Sequence, residues 1–188
     1  MLYLDNAATG PVRPEVLEAM TPYLTRYFGN PSSHHTVGEA AADALEDARA
    51  RVAAVLGMRR SDIVFVSGGT EANNLAVKGI GLAAHVGRGA SRVLTTAIEH
   101  ESVLESADYL RRLHGFAVDL APLDADGRID LGALDIRAGT ALLSIGYANN
   151  EVGTVQNVAA LSARAREAGV PLHFDAVQAA GWLPLDGL

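Results

Sequence analysis

The sequence predicts an α/β fold, a mostly parallel sheet with helices on both faces, and three observations predict it. Beyond residue 60, short apolar runs alternate with stretches of helical character. The runs are apolar almost throughout, as strands buried on both faces must be. The stretches between them are long enough to carry the crossovers that parallel strands require.

The elements follow in order. Residues 63–67, Ile-Val-Phe-Val-Ser, read as the first strand, and 71–84 as the helix after it. Residues 92–97 read as a second strand and 102–113 as a helix. A third strand is expected at 116–120, a short helix at 131–136, and a fourth strand at 140–145. Residues 158–168 read as a helix stopped by Gly169, and 170–175 as a fifth strand. Before residue 60 the pattern is helical. Pro14 suits the first turn of a helix over 14–28. Residues 38–56 are alanine-rich and periodic, and Gly57 ends them. Between these helices, Gly29-Asn30-Pro31-Ser32-Ser33 is a turn-forming stretch. The change of character near residues 10–14 marks a candidate domain boundary. No internal repeat is present.

Composition narrows the function. The 188 residues are 49% hydrophobic, enough for a sizeable core. The net charge of -7 and the pI near 5.3 argue against nucleic acid or anionic membrane as a main partner. No apolar run is long enough to span a bilayer, and the N-terminus lacks the basic and apolar regions of a signal peptide. There is no cysteine, so a cytoplasmic location is the expectation. The six histidines form no metal-ligand spacing, so no metal site is expected. Of the 15 basic residues, only Lys78 is a lysine.

In an open parallel sheet, ligands bind beyond the carboxyl ends of the strands. After the first expected strand comes Ser67-Gly68-Gly69-Thr70-Glu71-Ala72-Asn73-Asn74. Gly68 and Gly69 let the backbone approach an anion, the Thr70 hydroxyl can donate, and the following helix presents its free N–H groups. These residues equally suit a tight turn with Thr70 as helix cap. After the second strand comes Ile98-Glu99-His100-Glu101-Ser102, which places the His100 imidazole at the ligand end. It can stack on a planar ring, move a proton, or simply be structural. After the fourth strand lies Tyr147-Ala148-Asn149-Asn150-Glu151, where paired asparagines suit a turn or a side-chain amide contact to a ligand. After the fifth strand lies Asp175-Ala176-Val177-Gln178. A carboxylate closing an apolar strand needs a partner, and a helix cap is one alternative. A phosphate cup, an imidazole, an amide and a carboxylate at one sheet edge match the needs of an aromatic phosphate cofactor. Pyridoxal phosphate in particular needs a carboxylate to keep its ring nitrogen protonated.

Six segments carry a family resemblance. They are Tyr3-Leu4-Asp5-Asn6-Ala7-Ala8-Thr9, Phe28-Gly29-Asn30-Pro31-Ser32-Ser33, the segment from Ser67 to Asn74, Ala97-Ile98-Glu99-His100, the segment from Ala148 to Thr154, and His173-Phe174-Asp175-Ala176-Val177-Gln178. Their order and spacing resemble the cysteine desulfurases of the class V aminotransferase family, and Ala176 resembles the NifS-like branch. The resemblance implies the large domain of a fold-type I pyridoxal-phosphate transferase, truncated. It implies that residues 1–13 belong to a small second domain and 14–188 to a partial cofactor-binding domain. Gly69 and Thr70 then resemble phosphate binders, and His100 the residue stacked on the ring with a part in proton transfer. Asn150 resembles the amide that contacts cofactor and substrate, Asp175 the pyridine-nitrogen partner, and Gln178 the phenolate-oxygen partner.

The implied reaction takes sulfur from L-cysteine, leaving alanine and a persulfide for a sulfur acceptor or scaffold protein in iron-sulfur cluster or thiolation pathways. A homodimer is implied. Selenocysteine lyase, another enzyme of the class, is an alternative. The mechanism needs a Schiff-base lysine. In the family it lies beyond the segment matched by Asp175 to Gln178, and Lys78 is expected to be an ordinary helix residue. A truncated product, a split-enzyme subunit and an inactive scaffold therefore all remain open. An exposed apolar edge with a tendency to associate is expected.

Overall fold

The protein is described here by a computed structural model covering residues 2–185. The chain divides into two compact units, Met1–Val64 and Phe65–Leu188.

The first unit holds helix α1 (Pro14–Thr25), helix α2 (Thr36–Leu56) and a single 3-10 turn (Arg60–Asp62). Pro14 opens α1, where its missing N–H costs nothing. Helix α2 begins two residues earlier than its periodicity suggests. The His35 ring accepts the Gly38 N–H and so caps a turn that the apolar pattern does not mark. It ends at Gly57, whose φ of 64° is the left-handed C-cap. The Arg49 guanidinium donates to the Ile63 carbonyl, tying the end of the unit to α2.

The second unit contains α3 (Gly69–Arg88), β1 (Arg92–Thr95), α4 (Glu101–His114), β2 (Ala117–Leu120), β3 (Thr140–Gly146), α5 (Val158–Ala168) and β4 (Leu172–Asp175). The strands form one parallel sheet in the order β2-β1-β3-β4. Strand β3 is central, and six of its seven residues are buried. Its side chains alternate between two cores. Leu142 joins Val77, Val93, Val103 and Leu110 under α3 and α4. Leu143 and Ile145 join Leu94, Leu134, Leu161 and Ala165 on the α5 face. Both faces are therefore covered, as the near-continuous apolar strands require.

Two expectations need correction. Residues 63–67 form no strand; Val64 is exposed, and among the described residues no strand pairs with this run. An apolar run becomes a strand only through a ladder partner. Residues 131–136 form a turn, not a helix. The Asp130 carboxylate accepts the N–H groups of Gly132 and Ala133, which fixes a side-chain turn in place of a helical one. Leu134 is nonetheless buried in the α5-side core from that turn.

Helix α3 approaches α4 closely at Gly81, where a Cβ would stand 2.9 Å from Leu110 Cδ1. Gly79, two residues earlier, faces open space. Gly79→Ala should therefore stabilise the protein by about 0.5–1 kcal/mol, the helix propensity that glycine forgoes. Chemical denaturation checks this, and a loss of stability would show that the exposed face of α3 is not free.

Strand order places the reversal of winding between β1 and β3, because β1 runs on through α4 to β2 and β3 through α5 to β4. The crevice beyond the carboxyl ends of β1 and β3 is the expected ligand position in such a sheet.

Candidate functional site at the sheet's carboxyl edge

Three connections built from side chains lie at the carboxyl-end half of the sheet, two beyond the ends of β1 and β3 and one within the β3–β4 ladder. The first starts at Asn73, which lies with Val77 and Gly81 on the buried stripe of α3. It is 3% exposed, and its Nδ2 donates to Asp175 Oδ2 at 2.7 Å and to Ser102 Oγ at 2.9 Å. Ser102 Oγ in turn lies 2.8 Å from Nδ1 of His100, and the Ser102 backbone N–H donates to the same Nδ1 at 3.1 Å. His100 thus caps α4 while the residue remains exposed.

The second connection is centred on Glu99. Its Oε1 accepts from the Thr96 hydroxyl at 2.6 Å, and the Gly146 N–H donates to its carboxylate. Glu99 thereby joins the ends of β1 and β3. Burial pushes its carboxyl up to about 7, against those two hydrogen bonds, and the charge on Asp175 pushes it further the same way. Gly146 accommodates this group, since a Cβ there would stand 3.0 Å from Glu99 Oε2.

The third connection runs along the α3 face of the sheet. Ser144 Oγ lies 2.8 Å from His173 Nδ1, across the β3–β4 register that pairs these residues. Burial lowers the His173 pKa, and the Asp175 charge only partly offsets it. Burial thus favours the neutral imidazole even beside the Asp175 carboxylate.

The residues singled out from sequence fall as follows. Gly68 is the N-cap of α3, in place of Thr70, and Gly69 opens the helix. Among the described residues, no hydrogen bond takes the Gly69 and Thr70 N–H groups, as is usual for the first turn of a helix. The Glu71 carboxylate accepts from the Ser67 N–H at 2.7 Å and from its hydroxyl at 2.6 Å, closing the loop in front of the helix. Gly69 packs against Val177, and a Cβ would lie 2.6 Å from Val177 Cγ2, so the cup and the Asp175 loop adjoin. Asp175 Oδ1 accepts the Val177 N–H at 3.0 Å. With Asn73 on Oδ2, its carboxylate is fixed at both oxygens. Gln178 is half-buried in the turn that follows.

Asn150 is exposed, and its amide donates to Glu151 Oε1 at 3.0 Å. Its neighbour Asn149 holds the turn together, donating to the Ile98 carbonyl at 2.7 Å and accepting the N–H groups of Glu151 and Val152. The structure thus brings Gly69, His100 and Asp175 to one edge, with Asn150 on an outer turn. Lys78 is occupied elsewhere, bonded to Asn74 Oδ1 and 4.4 Å from the Tyr109 ring centroid.

Sequence reasoning quoted Asn73, Glu99 and Ser102 without giving them roles. One signal was readable for Asn73: an amide on an otherwise apolar helical stripe needs a buried partner.

The profile of the family described as "Aminotransferase class-V" matches residues 2–187. The chain belongs to the class-V aminotransferase family. Within it, this chain is 42% identical over 187 residues to a protein named cysteine desulfurase IscS of Dictyoglomus turgidum, covering 98% of this chain and 47% of that protein. It is 45% identical over 191 residues to an IscS-like cysteine desulfurase of Mycobacterium tuberculosis, covering 99% and 48%. The chain therefore spans about half the length of the curated relatives it matches. Among solved structures, a NifS-like protein superposes with a TM-score of 0.91 at 37% identity, covering 97% of this chain and 50% of that one. A structure titled "SspA in complex with cysteine" gives a TM-score of 0.88 at 38% identity, covering 96% and 52%. The fold is that of the large domain of fold-type I pyridoxal-phosphate transferases, and the family's enzymes use that cofactor.

Proposed function

We propose that this chain forms the non-covalent half of a pyridoxal-phosphate site in a cysteine desulfurase. The reaction takes sulfur from L-cysteine, leaving alanine and a persulfide for an acceptor in iron-sulfur cluster or thiolation pathways. The observation that carries the reading is Asp175. Its carboxylate closes β4, is fixed at both oxygens, and shares a hydrogen-bonded network with the His100 ring.

These residues fit the cofactor. Asp175 would hold the ring nitrogen, His100 would lie on the ring, and Gln178 would face its phenolate oxygen. Gly69 and Thr70 would hold the phosphate at the start of α3. Asn150, on its outer turn, would contact cofactor or substrate after a local rearrangement. When bound, the cofactor supplies an electron sink for bonds at the substrate's α-carbon. The protein's part is to hold charge and orient. Asp175 presents its carboxylate at the sheet edge, and burial favours the uncharged forms of its neighbours Glu99 and His173.

Residues 1–13 are read as part of a second, small domain. A cytoplasmic homodimer that meets a sulfur-acceptor protein completes the proposal. No helix among the described residues is long and apolar enough to cross a membrane.

The engagement of Lys78 with Asn74 and Tyr109 favours a second reading alongside the first: this chain alone binds the cofactor without anchoring it. Titration of the purified chain with pyridoxal phosphate, followed by borohydride and mass spectrometry, tests both. Expected is saturable, reversible binding with no adduct on Lys78, weakened at least tenfold by Asp175→Ala through loss of a charged partner worth more than 1.4 kcal/mol. No saturable binding would sink the half-site. A specific reduced adduct on Lys78 would sink the structural reading of that lysine.

A further inference from the structure

The Asn73–Ser102 connection imposes a direction on hydrogen placement that sequence motifs do not reveal. Asn73 Nδ2 is the atom within bonding distance of both Asp175 Oδ2 and Ser102 Oγ, at 2.7 and 2.9 Å. An amide nitrogen has two hydrogens, one for each of these oxygens. Turning the amide over would set its oxygen against the Asp175 carboxylate, with both groups buried or half-buried. The carboxylate therefore fixes the amide. Ser102 Oγ then accepts from Asn73, so its own hydrogen is free for His100 Nδ1 at 2.8 Å. The Ser102 backbone N–H points at the same nitrogen, at 3.1 Å. A ring nitrogen that faces two donors carries no hydrogen.

We infer that Asn73 and Ser102 are positioning residues that couple the Asp175 carboxylate to the His100 ring and fix it as the tautomer with hydrogen on Nε2. The meaning of this coupling for catalysis rests on the half-site proposed above; the coupling itself does not. In this state His100 offers the crevice a hydrogen-bond donor and no free base, because the one unprotonated nitrogen is turned inward. A ligand that meets Nε2 must present an acceptor. A ligand that removes or neutralises the Asp175 charge frees Asn73, its hydrogen-bond partner 102 residues away in sequence, to turn, and that loosens the hold on His100.

The test needs no cofactor. The 188-residue chain is labelled with 15N-histidine, and long-range proton–nitrogen correlations of the imidazoles are recorded near neutral pH, with His100→Gln assigning the signal. Expected is a pyridine-type Nδ1 and a pyrrole-type Nε2 for His100. Ser102→Ala removes one oxygen from the network and leaves the helix backbone intact. It should move both nitrogens toward the averaged position of mixed tautomers, and Ser102→Thr should restore the separation. Asp175→Asn should produce the same averaging although Asp175 does not touch His100, an effect a merely structural serine would not transmit. A pyrrole-type Nδ1 in the unaltered chain would overturn the inference, as would a His100 signal indifferent to both Ser102→Ala and Asp175→Asn. Should pyridoxal phosphate fail to bind while these shifts appear, the half-site falls and the coupling stands.

Discussion

Gly38→Ala should cost the first compact unit about 3 kcal/mol, an overpacking loss at the upper end of the usual range. Gly38 sits in the first turn of α2 and is buried. A Cβ there would stand 2.3 Å from the Ser33 carbonyl oxygen and 2.8 Å from that of Asn30. Both are backbone atoms, so no side-chain rotation relieves the clash. They belong to a turn held by its own bonds, Ser33 N–H to the Asn30 carbonyl at 3.0 Å and Ser32 N–H to the Asn30 side chain at 2.9 Å. Alanine's better helix propensity returns only about 1 kcal/mol. Little else in this unit resists the loss, because α1 has no buried residue and α2 has only Gly38 and Ala53. Hydrogen exchange resolves the effect by element. The amides of α2 should lose most of their protection in the variant, with those of β3 as internal reference. Unchanged protection in α2 would mean that the 30–33 turn gives way at no cost.

The same turn shows what a sequence pattern conveys. Gly29-Asn30-Pro31 announces a turn, but the approach of Gly38 to it does not follow from local composition. Elsewhere the pattern was sufficient. The apolar run at 140–146 is buried on both faces because it lies between two helical layers, and the expected helix at 158–168 has the bounds found. Its stop at Gly169 is a left-handed glycine with φ 65°. The reading failed where apolar character and pairing part company. Residues 63–67 carry a strand's composition without a ladder partner among the described residues, and residues 131–136 carry a helix's spacing across an aspartate-capped turn. The candidate site divides along the same line. Asp175 and His100 could be read because one closes a strand and the other follows one, and strand ends are where such sheets bind ligands. Asn73 and Ser102 could not be given their part, since it lies in contacts between elements far apart in the chain.

Glu99→Gln should stabilise the protein by about 2–3 kcal/mol above pH 7 and change little below pH 4.5, following the linkage of proton binding to folding. Burial is the main cause, raising this carboxyl from its ordinary 4.5 to about 7. The sign follows from where the proton sits. Below pH 4.5 the carboxyl is protonated in folded and unfolded chains alike, and the stabilising contribution is fully present. Between 4.5 and 7 the folded chain holds a proton that the unfolded chain has released, so stability falls as pH rises. Above 7 the folded protein carries a half-buried carboxylate near that of Asp175. Glutamine avoids this charge while keeping both bonds. Its oxygen can accept the Gly146 N–H, and its nitrogen can donate to Thr96 Oγ1, whose hydroxyl is free to turn. Denaturant unfolding at pH 4 and pH 8 measures the difference, and an equal effect at both would mean that Glu99 ionises like a surface carboxylate. The result also bears on the site. Below pH 7 a protonated Glu99 places no second charge beside the Asp175 carboxylate, and the hydrogen-bond direction from Asn73 to His100 is set by that carboxylate.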